Sequence, residues 1–87
     1  MPHPLVVNIK LDRYDIYIGR GSPYGNPFII GKDGNRDQVC DRYESLRSKD
    51  PEFIAMVKKN LRGKRLGCFC APERCHGDWL AKIANED

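Results

Sequence analysis

The chain has 87 residues, of which 40% are hydrophobic and 31% charged, with a formal net charge of +3 at pH 7. This length supports one hydrophobic core, and the apolar content is too high for a disordered chain, so we expect a single α/β domain over residues 1–87. Apolar runs such as Leu5–Val7 are far shorter than the roughly 20 residues that span a bilayer, and no export signal is visible, which predicts a cytoplasmic protein without membrane contact.

Two short strands open the predicted fold. The β-branched segment Leu5–Lys10 and the segment Asp15–Gly19 are separated by a short polar connection, for which an antiparallel hairpin is the simplest pairing. The next segment, Gly19–Pro27, contains three Gly, two Pro, a Ser and an Asn, a composition incompatible with a helix or a central strand. We expect a shaped loop there, which we call the glycine loop.

The middle of the chain predicts two helices. Asn35 and Gln38 have the spacing of a capping box for the first helix, whose buried face is predicted to carry Val39, Tyr43 and Leu46. The second helix has a cap, a first-position proline, apolar residues at helical spacing and a terminating glycine. These residues are Asp50, Pro51, Ile54, Val57, Leu61 and Gly63.

A third strand is predicted at Leu66–Cys70, and a last helix begins near Cys75 or His76 with its buried stripe on Trp79, Leu80 and Ile83. Because two helices join the second and third strands, these strands can be parallel neighbours. The sequence therefore predicts a small two-layer or three-layer Rossmann-like unit of about three strands and three helices.

The glycine loop carries candidate ligand-binding residues. Arg20 lies between two glycines and offers a bidentate guanidinium to phosphate or carboxylate. The Gly21 backbone, Ser22 and Asn26 can add hydrogen bonds, and an exposed Tyr24 can stack on a nucleobase. Alternatively, Ser22 and Asn26 only hold the turns of the loop and Arg20 pairs with an acid. The pattern fits neither a P-loop nor a dinucleotide fingerprint.

The segment Cys68–Asp78, which we call the cysteine loop, allows a metal site. Cys68, Cys70, Cys75 and His76 are the donor set of tetrahedral zinc. Adjacent residues entering a helix diverge by about 100°, however, which disfavours one ion bound by both Cys75 and His76. Alternatively, Cys68 is not a metal ligand but a small buried residue of the third strand.

The same loop also allows catalysis. Cys75 lies at a helix start, where the backbone dipole together with Arg74 and His76 is expected to lower the pKa of its thiol. Asp78 can fix the histidine tautomer, and Cys70 can act as a nucleophile or resolving thiol. A separate basic run, residues 58–65, either contacts phosphate or RNA or is a solvated face.

Four segments resemble one small family of bacteria and phages, the domain of unknown function 4326. They are Val6–Asn8, Tyr17–Phe28, Gly67–Pro72 and Cys75–Asp78. Tyr24 and Phe69 replace the Phe and Trp typical of the family, and both changes are conservative. The resemblance implies a self-contained domain whose shared residues cluster in the two loops. Those that match the family motifs are Arg20, Ser22, Asn26, Cys70, Cys75, His76 and Asp78.

These patterns lead to one functional hypothesis and one alternative. Loops after parallel strands meet at one edge of a sheet, so we expect a cleft between the glycine and cysteine loops that recognises a nucleotide or nucleic acid through its phosphate, with thiol-dependent chemistry as an extension. Whether the protein is an enzyme stays open. The alternative is a zinc-stabilised interaction or inhibitor module of phage or bacterial origin that acts on a host protein; otherwise no cofactor is expected.

Overall fold

A computed structural model describes residues 4–69, 71 and 73–86 and confirms the α/β class. Cys70, a predicted catalytic residue and zinc ligand, lies outside this part of the chain, as does the end of the predicted third strand. The strands are β1 (Val6–Asn8), β2 (Ile16–Tyr17) and β3 (Leu66–Cys68); the helices are α1 (Arg36–Ser48), α2 (Pro51–Leu61) and α3 (His76–Ala84).

The three strands form a parallel sheet in the order β1-β3-β2. The predicted parallel pairing of the second and third strands is confirmed, with Ile16 opposite Leu66. The antiparallel hairpin of the first two strands is wrong, because β3 lies between them. Asp15 donates its backbone N–H to the carbonyl of Arg65 at 2.8 Å, so the chain returns across the sheet and β2 starts beside the start of β3.

Helix α1 begins at its predicted capping box, in which the Asn35 side chain accepts from the Gln38 backbone N–H and the Gln38 side chain accepts from the Asn35 N–H. Val39 and Tyr43 are buried as predicted. Leu46 is 48% exposed, so its predicted place on the buried face is wrong. The guanidinium of Arg47 covers the core there instead, 4.7 Å from the centre of the Phe53 ring.

Helix α2 has its predicted cap, since the Asp50 carboxylate accepts from the Phe53 backbone N–H at 3.1 Å and Pro51 is the first helical residue. Val57 and Leu61 are fully buried. Helix α3 begins at His76, as predicted, and contacts α2 and strands β1 and β3. Within the described ranges, none of the helices combines the length and apolar character that a membrane crossing requires.

Gly63 follows α2 with a φ of +72°, a left-handed conformation that favours glycine. A Cβ at this position would meet no atom within 4 Å, so a substitution changes only the backbone preference. We predict that Gly63→Ala lowers the free energy of unfolding by about 1 kcal/mol. Gly63→Asn should lower it less, because asparagine tolerates this region better. Urea unfolding of the two variants measures the difference, and equal losses would contradict the backbone explanation.

The start of α3 approaches the sheet closely at Gly77, which is buried. A Cβ there would lie 2.5 Å from the Ile18 Cδ1 and 3.2 Å from the Cys75 Sγ. The absence of a side chain on Gly77 therefore lets the cysteine loop and the residue that precedes the glycine loop pack together.

Candidate ligand-binding site

The glycine and cysteine loops follow the carboxyl ends of β2 and β3 and enclose one pocket of about 260 Å³, with the start of α1 as a third wall. Arg20 and Asn26 line it from the glycine loop, and Cys68, Cys75 and His76 line it from the cysteine loop. Most of its surface is apolar. The parallel pairing of β2 with β3 brings the two loops together, because the connections that leave neighbouring parallel strands start at the same sheet edge.

Three arginines line the pocket, and they differ in their partners. Arg36 pairs with Glu73 at 3.0 Å, and Arg74 contacts three carboxylates of α1. Arg20 is exposed, and its guanidinium has neither an ion pair nor a hydrogen bond within residues 4–69, 71 and 73–86. Arg20 therefore has its charge and donors available for a ligand.

The Arg74 contacts fasten the cysteine loop to α1. Its guanidinium lies 3.0 Å from the Asp37 carboxylate, 2.7 Å from Asp41 and 2.8 Å from Glu44. These hydrogen bonds raise the pKa of Arg74 above its ordinary value. The sequence signal was present, since acids at positions 37, 41 and 44 fall on one helical face, but their partner lies 30 or more positions away.

Two predicted ligand-binding residues build the glycine loop itself. The Ser22 hydroxyl donates to the Gly19 carbonyl at 2.7 Å. The Asn26 side chain donates to the Val39 carbonyl at 3.1 Å and accepts from the Phe28 backbone N–H at 2.9 Å. These side-chain atoms therefore hold the turns of the loop, which was the alternative to ligand binding. Asn26 also contributes to the pocket wall.

Tyr24 is 7% exposed, so the expected exposed stacking ring is wrong. Its ring packs near Phe53, with 6.4 Å between the ring centres, and its hydroxyl accepts from the Asn60 side chain at 3.2 Å. Because this part of the glycine loop packs against α2, the Tyr24 side chain points into the core. Gly21 remains exposed, with a φ of +91°.

The Cys68 and Cys75 sulfurs lie 3.2 Å apart and are buried, as the apolar interpretation of Cys68 predicted. Cys75 caps α3, where its sulfur accepts from the Gly77 backbone N–H at 3.3 Å. The hydrogen bond with Cys68 and burial nevertheless raise the pKa of Cys75 far above its ordinary value. The expected lowering by Arg74 is wrong, because that guanidinium is bound to the acids of α1.

We predict that these thiols react slowly in the native protein. A Cys70→Ser variant retains Cys40, Cys68 and Cys75, whose thiols are all buried. At about pH 7.5 they should react with a thiol-specific reagent on the order of 10-fold or more slowly than in denaturant, because only an accessible thiolate is a good nucleophile. A thiol that reacts at once in the native variant would contradict the burial of these side chains.

His76 is buried with its ring fixed. Its Nε2 lies 2.7 Å from the Ile18 carbonyl, so Nε2 carries the proton and donates, which leaves the lone pair on Nδ1. Burial lowers the pKa of His76 and keeps the imidazole neutral at pH 7. The Ile18 carbonyl therefore fixes the tautomer, and the Asp78 carboxylate accepts from the Cys75 backbone N–H at 3.2 Å as part of the helix cap.

Of the four proposed zinc ligands, the structure places three. Cys68 and Cys75 have adjacent sulfurs, while the His76 Nε2 is bonded to a carbonyl. No group of three or more His, Cys, Asp or Glu side chains suited to a metal ion occurs among residues 4–69, 71 and 73–86. A zinc site in this loop would therefore depend on Cys70.

The sequence interpretation did not assign Phe69 to the site. Phe69 follows β3, lines the pocket and is 57% exposed. Its ring meets Tyr17 edge to face, with 6.2 Å between ring centres. Phe28 and Ile30 also contribute to the apolar wall. The regular strand β3 ends at Cys68, one residue before Phe69.

Comparisons with known proteins agree with the resemblance found in the sequence. The family model of the domain of unknown function DUF4326 matches residues 7–86. An uncharacterized 12.4 kDa protein of the nrdA-td intergenic region of Enterobacteria phage T4 is 39% identical over 84 residues, which covers 92% of this chain and 76% of the phage protein.

A second relative, the uncharacterized protein R718 of Acanthamoeba polyphaga mimivirus, is 30% identical over 86 residues. The match covers 80% of this chain and 65% of the mimivirus protein. No solved structure matches the chain. The family match spans nearly the whole sequence and includes both loops, and the chain therefore belongs to the DUF4326 family.

Proposed function

We propose that the chain recognises a small phosphate-bearing ligand, a nucleotide or a nucleic-acid end, in the pocket between the glycine and cysteine loops. The observation that carries the proposal is the exposed Arg20 guanidinium, which has no counter-ion in the described part of the chain and borders an otherwise largely apolar pocket. Guanidinium binds phosphate through paired, charge-assisted hydrogen bonds, which gives Arg20 the role of the phosphate contact.

The position and chemistry of the pocket support this proposal. Ligands of open α/β sheets bind beyond the carboxyl ends of the strands, where this pocket lies. Its apolar wall favours a ligand with an apolar part in addition to its charge, because polar groups buried there without partners would be costly. Inorganic phosphate alone would leave that wall without a contact.

Any chemistry on the ligand would use His76 in preference to Cys75. The neutral imidazole has an unprotonated Nδ1 and lines the pocket, whereas burial and Cys68 keep Cys75 protonated. A general base needs an available lone pair near neutral pH, and a thiol nucleophile needs a lowered pKa. The proposed activity is therefore recognition, with proton transfer at His76 as its enzymatic extension.

Isothermal titration calorimetry with nucleoside 5′-monophosphates tests the proposal. Arg20→Ala should weaken binding by about 10-fold or more, because a charge-assisted contact contributes about 1.5–3 kcal/mol. Lys82→Ala removes an equal charge from an exposed position of α3 and should leave the affinity unchanged. The proposal fails if no phosphate-bearing ligand binds in a manner that depends on Arg20.

The adjacent sulfurs of Cys68 and Cys75 favour one second candidate, a zinc-stabilised interaction or inhibitor module. In that case the purified protein would contain one equivalent of zinc and unfold on chelation. Elemental analysis and thermal unfolding with and without a chelator distinguish the two candidates. A folded, metal-free protein would exclude the second one.

A further inference from the structure

The apolar part of the pocket contains one aromatic side chain that is largely exposed to solvent. Phe69 exposes 57% of its surface, which is unusual for a phenylalanine in a small domain, and it borders the pocket that contains Arg20. Ile30, another pocket residue, is 48% exposed. Exposed aromatic rings in a binding cleft are suited to stacking on planar rings, including nucleobases.

The size of the pocket limits what enters it. Its volume of about 260 Å³ lies just below the roughly 300–1,000 Å³ that is common for small-molecule sites. A planar base with part of its sugar is therefore a better match than a whole nucleotide with several phosphates. The charged end of a longer ligand must lie outside this pocket.

A second pocket adjoins the first and can hold the charged end of a longer ligand. It has a volume of about 250 Å³ and shares Arg20, Asn26 and Ile29 with the first pocket. The rest of its wall comes from the glycine loop, including Gly21 and Ser22. The shared Arg20 therefore lies where a ligand would pass from the apolar pocket to the second one, and its five N–H donors can contact more than one phosphate.

We infer that the ligand is a nucleoside polyphosphate whose base stacks on Phe69 in the first pocket, while its phosphates pass Arg20 and extend into the second pocket. This inference rests on the proposed function, since it needs Arg20 to bind phosphate. It adds the aromatic class of the ligand, the stacking role of Phe69 and the use of the second pocket.

Calorimetry with four ligands, namely AMP, ADP, adenosine and ribose 5-phosphate, tests the inference. AMP should bind more tightly than both adenosine and ribose 5-phosphate, and ADP more tightly than AMP. Phe69→Leu should weaken AMP binding by about 5-fold or more, because base stacking contributes about 1–3 kcal/mol, and should not change the affinity for ribose 5-phosphate. Phe69→Trp should retain binding, and Leu46→Ala, which shortens an exposed leucine of α1, is the control.

The outcomes separate this inference from the proposed function. If ribose 5-phosphate binds as tightly as AMP, depends on Arg20 and ignores Phe69→Leu, the aromatic class is wrong while the phosphate site stands. If ADP binds no more tightly than AMP, the second pocket does not hold phosphate and the inference is overturned in that part. If neither these four ligands nor the other nucleoside 5′-monophosphates bind in an Arg20-dependent way, both proposals fail.

Discussion

Tyr43→Ala is expected to lower the free energy of unfolding by about 3–5 kcal/mol, the usual cost of removing a large aromatic side chain from a core. Tyr43 is fully buried, and its ring meets those of Phe53, His76 and Trp79, with centres 6.4, 5.0 and 5.9 Å away. These rings come from α2 and α3, so one residue of α1 joins all three helices. Small domains have a total stability of only about 5–15 kcal/mol, so this variant should be largely unfolded at moderate urea.

Tyr43→Phe separates packing from hydrogen bonding at the same position. The Tyr43 hydroxyl donates to the Tyr24 carbonyl at 2.7 Å, which fixes the glycine loop to α1. Its removal leaves that carbonyl without this donor and should cost about 1–2 kcal/mol, clearly less than the alanine variant. Urea unfolding followed by circular dichroism measures both. Equal losses for the two variants would contradict the assignment of most of the energy to ring packing.

Lowering the pH below about 6.5 should destabilise the protein through His76. Burial lowers the pKa of His76 in the folded state, so between that value and about 6.5 the unfolded chain binds a proton that the folded chain does not. The contribution of His76 to the free energy of unfolding should therefore be constant above this window. Within it, the loss is up to about 1.4 kcal/mol for each pH unit.

Urea unfolding at about pH 7.5 and 5.5 measures this effect, and two variants assign it. His76→Gln should remove most of the pH dependence, although it also loses stability at both pH values because the contact with the Ile18 carbonyl is altered. His3→Gln, which changes the other histidine of the sequence, should retain it. A stability that does not change over this range in the unmodified protein would show that His76 titrates normally.

The local signals in the sequence predicted the helices well. The capping box of Asn35 with Gln38, the cap and proline at Asp50 and Pro51, and Gly63 each act within one helical turn, so their chemistry can be read from neighbouring positions. The strand order was predicted only in part. A hairpin is the local choice for two successive strands, whereas β3 lies between them because it pairs with residues about 50 and 60 positions away.

The difference between local signals and contacts between distant residues also explains which features of the candidate site were predicted. Parallel neighbouring strands were enough to predict that the glycine and cysteine loops meet, and one pocket joins them. The exposure of Tyr24 and the pKa of Cys75 were predicted wrongly, because both depend on partners that the fold brings in: the core around Phe53 for Tyr24 and the sulfur of Cys68 for Cys75. Phe69 was missed because its place in the pocket depends on distant segments that surround it, which neighbouring positions in the sequence do not show.

Several contacts tie the proposed binding site to the core, which gives it a defined shape before a ligand arrives. His76 holds the Ile18 carbonyl just before the glycine loop, and Tyr43 holds the Tyr24 carbonyl within it. On the other side, Arg74 fastens the cysteine loop to α1. A site fixed from both sides loses little conformational entropy when it binds, which favours affinity for a small ligand.

A nuclear magnetic resonance titration of the isotope-labelled protein with ADP tests whether the two loops form one phosphate-binding site. If they do, backbone amide signals of Arg20 and Gly21 in the glycine loop and of Phe69 and His76 in the cysteine loop should shift together with one dissociation constant. They should not shift in Arg20→Ala at the same ADP concentration. Shifts confined to one loop, or centred on the basic residues 58–65, would contradict the claim that the two loops form a single phosphate-binding site.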